Sequence, residues 1–363
     1  MREELAEALL GKIMGWSKED LSKERFQNQM LAELKYDNYQ QYMLGMKYIE
    51  SLALWLNKFE DDDRLVLYDF IKKNLVYISE VQMRQLIDMS YDYYVKPILI
   101  NNTKRICNEH RIMDIAKRED VYKCLRRQSL FLGLSDGSHI DVFRRDHPFL
   151  NNEQINIYYD FSKEKVKDLN EDLKTDLVKY EKLLIPKDGF KYIFLLDDFT
   201  ASGISFIRKD ENKWKGKVAK FLKQLQEYDL KCDEIDVYII IFIATKEAID
   251  YINKQLELFK NDNSISTELR AIAIQYVNKL VLDDELKGIF EKYYQRYQMC
   301  EIEDVHYHKG KHCLPFMGFN ECGLPLVIYH NAPNNSFPII WFDKKDIFKG
   351  LFPRITRHKG SII

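Results

Sequence analysis

The sequence predicts an α/β protein with a mostly parallel sheet, flanking helices and an N-terminal helical region. Two continuous apolar runs, "KYIFLLDD" (191–198) and "IDVYIIIFIA" (235–244), have the composition of strands buried on both faces. Amphipathic helical stretches alternate with them, as parallel strands require. Before these, apolar residues recur at helical spacing over roughly the first hundred positions.

In chain order, Leu44, Tyr48, Leu52 and Trp55 repeat at helical spacing, as do Leu67, Ile71, Leu75 and Ile78. Ser79 and Gln82 form the pattern of a capping box, so a helix is expected to start there. Pro97 interrupts "YYVKPILINN". No glycine-rich or proline-rich linker follows, so this region is expected to pack directly on the rest. The aromatic stripe in residues 36–59 suits either a partner-binding face or the core of a helical bundle. From residue 129 the rhythm changes. "SLFLGL" is a short apolar run, "SDGS" at 135–138 is a turn signal, and "HIDVFRR" reads as helix. A charged helical stretch over 161–182 ends before Pro186. After "KYIFLLDD" comes a helix on which Trp214, Val218, Phe221, Leu222 and Leu225 share one face. "TKEAIDYINKQLELF" follows "IDVYIIIFIA" and is again helical. The expected division is a helical accessory region over 1–125, an α/β domain over 126–345 and a C-terminal tail over 346–363.

Hydrophobic residues make up 46% of the chain and charged residues 31%, enough for a sizeable packed core. The formal net charge is −2, from 55 basic and 57 acidic residues, so nothing draws the chain at long range to DNA or an anionic membrane. The pairs Arg126–Arg127 and Arg144–Arg145 either grip a single phosphate or sit at solvated helix ends. The N-terminus "MREELAEALLGKIMGW" lacks the pattern of a signal peptide, and no apolar run is long enough to span a membrane. A cytoplasmic protein with reduced thiols is expected; none of its cysteines forms a C-x-x-C pair. Cys300, His306, His308, His312, Cys313 and Cys322 crowd one stretch. Their residue types suit zinc, but their spacing matches no standard finger, so no tightly bound zinc is expected there. The other readings are a surface loop with a few buried cysteines, or His306 or His308 in acid–base work or base stacking.

The stretch "YIFLLDDFTASGISF" (192–206) carries the chemistry. In an open parallel sheet, ligands bind beyond the carboxyl ends of the strands. There, two carboxylates can accept hydrogen bonds from sugar hydroxyls or help hold Mg²⁺. A following loop of small residues lets the backbone approach a ligand, and its amides favour an anion such as phosphate. Strand, acid pair and anion loop together fit a ribose 5-phosphate. The alternative is that Asp197 and Asp198 only cap a turn.

"FLLDDFTASGIS" resembles the phosphoribosyl pyrophosphate loop of the type I phosphoribosyltransferases: hydrophobics, two acids, then a short loop rich in Thr and Gly. The resemblance implies a phosphoribosyltransferase-like, Rossmann-like fold. It makes Asp197 and Asp198 the catalytic pair at the ribose hydroxyls, and Thr200, Ala201, Ser202, Gly203, Ile204 and Ser205 the cradle of the 5-phosphate. Ala201 and Ser202 stand where members usually show threonines, and Ile204 follows the glycine. "LFLGLSDGSHIDVFRR" resembles the first core strand of that family, which puts Ser135, Asp136 and Gly137 in its pyrophosphate loop with Arg144 and Arg145 in reach of phosphate. Residues 146–190 would then hold a mobile loop that closes over substrate. "HNAPNNSFPIIWF" offers Asn331, Asn334 and Asn335 for reading a base edge, or for turns.

Together these segments resemble the phosphoribosyltransferase-like proteins of bacterial conflict and antiphage defence systems, over about residues 60–343. The resemblance implies a ligand that is phosphoribosyl pyrophosphate or a nucleotide, with Mg²⁺ held mainly through it, and glycosyl transfer as the reaction. A non-catalytic nucleotide sensor is the alternative, as is an interaction subunit whose helical region docks a protein partner from the same system. The acceptor stays open among a free base, a nucleotide, NAD and a nucleic acid.

Overall fold

A computed structural model of the chain describes residues 3–109, 111–158, 162–183, 189–227, 235–303, 307–311 and 313–355. It divides into two compact units, Met1–Gln82 with Asn278–Ile363, and Met83–Val277. These limits do not coincide with the expected boundaries at 125 and 345.

The strands among the described residues are β1 (Val76–Ile78), β2 (Ser129–Gly133), β3 (Ile155–Ile157), β4 (Tyr192–Thr200), β5 (Arg208–Asp210), β6 (Lys213–Lys215), β7 (Asp236–Ala244), β8 (Leu269–Tyr276) and β9 (Leu326–Ile328). The second unit is an α/β layer. Its five-stranded sheet has the order β3-β2-β4-β7-β8, and every neighbouring pair is parallel. β4 is central, with Leu196 opposite Gly133 on one side and Ile240 on the other. Ile193 to Leu196 and Ile239 to Ala244 are fully buried, which explains the unbroken apolar runs. Helices Lys217–Glu227 and Lys246–Asn263 follow β4 and β7. Thr245 caps the second of these, its hydroxyl accepting from the Ala248 amide at 3.1 Å.

Several local expectations change. β4 runs on through both aspartates to Thr200, because Phe199 and Thr200 still pair with Ile243 and Ala244. Trp214 lies in the antiparallel hairpin β5–β6, not on the helix that begins at Lys217. Residues 146–190 include the edge strand β3 and the helix Lys163–Leu177, whose Val166, Leu169, Leu173 and Leu177 are buried. Pro97 does not break its helix. The chain passes through a π-helical turn, Tyr91–Val95, just before the proline, and continues as Lys96–Cys107.

The first unit is mainly helical, with a two-stranded parallel pairing of β1 with β9. Its helices include Glu3–Met14, Lys18–Leu34, Tyr48–Leu56, Asp61–Asn74 and Asp284–Arg296. The capping box forms: the Gln82 amide donates to Ser79 Oγ at 3.2 Å, and the Ser79 amide to Gln82 Oε1 at 3.1 Å. Leu44 is fully exposed ahead of its helix, and Ile78 ends a strand. The stripe of residues 36–59 is core. Tyr36, Tyr39, Tyr48, Trp55 and Phe59 are buried, and Phe352 packs against the first three. Trp55 Nε1 donates to the Ile339 carbonyl at 2.8 Å. Phe348, Leu351 and Phe352 are buried too, so 346–355 belongs to this core and is no tail. Among the described residues no helix is long and apolar enough to cross a membrane.

Candidate functional site

The site lies at the carboxyl end of β4, where two loops meet. Successive side chains of a strand point to opposite faces, so Asp197 and Asp198 diverge. Asp197 is fully buried. Its Oδ1 accepts from Ser135 Oγ at 2.5 Å, and its Oδ2 accepts from Lys217 Nζ in an ion pair. Burial pushes its carboxyl above the ordinary range, and the nearby Asp198 adds to this; Lys217 and the Ser135 hydroxyl oppose it. Asp198 is half-buried, and its Oδ1 accepts from the Phe199 amide at 2.8 Å.

The turn after β2 meets Asp198 at Gly137. A Cβ on residue 137 would lie 2.5 Å from Asp198 Oδ2. Only a residue without a side chain lets this turn come so close to the carboxylate. The turn is a short 3₁₀ segment, Asp136–Ser138, closed by the Ser138 amide donating to the Ser135 carbonyl at 3.0 Å. Through Ser135 and Gly137, one turn thus touches both acids.

The second loop, 201–207, is tied down from beneath. Gly203 adopts φ +74°, and its amide donates to Thr200 Oγ1 at 3.1 Å. A Cβ there would lie 2.9 Å from the Ala248 carbonyl oxygen. Thr245 Oγ1 donates to the Ala201 carbonyl at 2.7 Å. Thr200 and Ala201 are therefore buried supports, and the smallness of Ala201 reflects packing. Ser202 and Ile204 are half-buried and Ser205 is exposed. Among the described residues, the backbone amides of Ser202, Ile204 and Ser205 make no hydrogen bond. Such amides, beside a pair of serine hydroxyls, suit an anion. The loop does not lead straight into a helix; the β5–β6 hairpin stands between it and Lys217.

The remaining expected residues are occupied elsewhere. Arg144 donates to the Ile155 carbonyl at 2.6 Å, level with Phe131 in mid-sheet, and Arg145 pairs with Asp141 at 2.6 Å. Neither is brought to the acid pair. Arg127 pairs with Asp176 at 2.5 Å, and the Arg126 guanidinium lies over the Phe149 ring. Asn331 and Asn335 belong to the first unit and hold its backbone. Asn331 Nδ2 donates to the Ile355 carbonyl at 3.1 Å and Asn335 Nδ2 to the Phe319 carbonyl at 3.2 Å. The Asn334 carbonyl accepts from the Phe319 amide at 2.8 Å. His306 and His312 lie outside the described residues. Among the described residues no group of three or more His, Cys, Asp or Glu side chains could hold a metal.

Sequence reasoning missed Lys217. It stands in "KWKGKVAK", a run that looks like a solvated face. Its partner is twenty residues back, and only the hairpin brings the two together.

A parallel sheet with an acid pair and a small-residue loop at the carboxyl end of its central strand defines a phosphoribosyltransferase-like protein. The chain belongs to the family described as PRTase-CE, whose model matches residues 52–354. No curated protein and no solved structure matches it.

Proposed function

We propose that the carboxyl end of β4 binds a ribose 5-phosphate ligand, phosphoribosyl pyrophosphate or a nucleotide, and that the reaction is glycosyl transfer. The observation that carries this reading is the pairing of a half-buried carboxylate, Asp198, with a neighbouring loop whose amides at Ser202, Ile204 and Ser205 make no hydrogen bond among the described residues. Asp198 would accept from the ribose hydroxyls, and the loop would hold the 5-phosphate. The turn at Ser135–Gly137 would face the pyrophosphate. In the transfer, the bond from C1 of the ribose to the pyrophosphate oxygen breaks and the oxygen keeps the electron pair. A nucleophile bonds to C1 and gives its proton to solvent. Positioning and electrostatics supply most of such catalysis.

Mg²⁺ would enter with the ligand. It would be held mainly by the ligand's phosphate oxygens, as Mg²⁺ commonly is. When bound it would neutralise charge on the leaving pyrophosphate.

One observation favours a second reading, a sensor that binds the ligand without turnover and signals to a protein partner. Asp197 is buried and already bonded to Ser135 and Lys217, so only one acid of the pair is presented. The motif resemblance supports a setting in bacterial antiphage defence for either reading. The deciding experiment incubates the protein with Mg²⁺, phosphoribosyl pyrophosphate and pooled bases, nucleotides and NAD, and follows products by mass spectrometry. Turnover lost in Asp198→Asn supports transfer. Binding without turnover supports the sensor. Wild-type protein that neither binds nor turns over any of these overturns both.

A further inference from the structure

We infer that Lys217 is a positioning residue that locks the two loops of the site into one cradle, an inference that rests on the ribose 5-phosphate reading above. Lys217 reaches two segments directly, the 201–207 loop and β4, and a third through Asp197. Its backbone amide donates to the Ser205 carbonyl at 3.0 Å, at the exposed tip of the 201–207 loop. Its ammonium lies 4.7 Å from the centre of the Phe206 ring, a cation–π contact within the same loop. The same ammonium donates to Asp197, whose other oxygen accepts from Ser135 in the turn after β2. The path from Ser205 to Ser135 thus runs through a single side chain and one buried carboxylate.

The charges give this path a second consequence. Asp197 has no exposed surface, and an unpaired carboxylate there would repel a phosphate ligand and carry a large desolvation cost. Lys217 neutralises it from a side chain that stays 31% exposed. Asp198 is then the negative charge the pair presents to a polyanion. Asp197 accordingly acts through Ser135 and Lys217, with no contact to the ribose.

The test compares Lys217→Met, Asp197→Asn with Lys217→Met, and Lys217→Arg with the wild type. The single methionine variant leaves a buried carboxylate unpaired and is expected to lose thermal stability. The double variant removes both charges and is expected to melt close to the wild type. Each is examined by hydrogen exchange over 135–138 and 201–207 without ligand, and by calorimetry with Mg²⁺ and phosphoribosyl pyrophosphate. In the double variant, faster exchange in both loops and affinity reduced tenfold or more are expected, with recovery in Lys217→Arg. A double variant with wild-type exchange in both loops overturns the inference. Wild-type protein that fails to bind the probe overturns the ribose 5-phosphate reading, while the exchange data still decide whether Lys217 couples the loops.

Discussion

Gly137 and Asp198 approach so closely that a methyl group on residue 137 would stand 2.5 Å from the Asp198 carboxylate oxygen. The contact is between a turn backbone and the far end of a flexible side chain, so a clash there moves the carboxylate more easily than the fold. Gly137→Ala is expected to leave the unfolding midpoint near that of the wild type. It should weaken binding of Mg²⁺ and phosphoribosyl pyrophosphate about tenfold, the scale of one charge-assisted hydrogen bond lost. Calorimetric titration beside a thermal melt checks both halves. A variant that binds as the wild type does would remove Asp198 from the site.

The two aspartates should respond differently to the same substitution. Asp198→Asn changes a half-buried group and is expected to shift stability by less than about 0.5 kcal/mol, with ligand affinity falling roughly tenfold. Asp197→Asn removes the charge that pairs with Lys217 inside the fold. Lys217 is partly exposed and can turn to water, so the cost is expected at about 1–3 kcal/mol. Denaturant melts of the two variants give the comparison. Equal stability losses would mean that the acids are not divided into one buried support and one presented group.

The strand that carries this site was legible in the sequence because a central parallel strand must be apolar on both faces, as Ile193 to Leu196 are. The acid pair stood out in the sequence because two charges abruptly follow such a run, but its division into a buried Asp197 and a half-buried Asp198 did not. Lys217 was not, since its ion pair exists only once the β5–β6 hairpin returns the chain to β4. Trp214 misled for a related reason. It stands four residues before Val218, the spacing of a helix face, yet it is buried through a hairpin. Its ring packs edge-on against Phe259 at 5.3 Å, and its Nε1 donates to Asp262. Arg144 and Arg145 follow the turn closely in sequence, but in the helix Ile140–Asp146 Arg144 turns to the Ile155 carbonyl in mid-sheet and Arg145 pairs with Asp141. The partnership of β1 with β9 joins segments some 250 residues apart, and no local pattern announces it.

Gly203 is expected to be intolerant of any side chain. Its φ of +74° is strained for other residues, and a Cβ would meet Ala248 O, Ile252 and Tyr251 at 2.9 Å. Gly203→Ala should destabilise the protein by about 1–3 kcal/mol through the backbone alone, with more from the contact with the helix below. Because the helix end is rigid, the loop must lift. Faster hydrogen exchange over 201–207 should therefore accompany the lower melting temperature. Unchanged exchange there would show that the loop is not seated on the Lys246–Asn263 helix as described.

The N-terminal helices are expected to be inseparable from the first unit. Trp55 is fully buried and donates to the Ile339 carbonyl, Ser51 Oγ donates to the Leu351 carbonyl at 2.8 Å, and Tyr39 OH donates to the Pro353 carbonyl at 2.8 Å. Each bond joins the first sixty residues to the last twenty-five or so. Trp55→Ala would remove a large side chain from the core and leave the Ile339 carbonyl without its donor. The expected cost is about 3–5 kcal/mol, enough to consume much of the stability of an ordinary domain. Deleting residues 1–58 should go further, exposing Phe352 and Tyr77 and yielding insoluble protein. Expression trials with circular dichroism of any soluble fraction measure this. A truncated chain that stays soluble and melts cooperatively at the wild-type temperature would show that these helices are an appended module after all, and would return their aromatic residues to consideration as a surface for a partner.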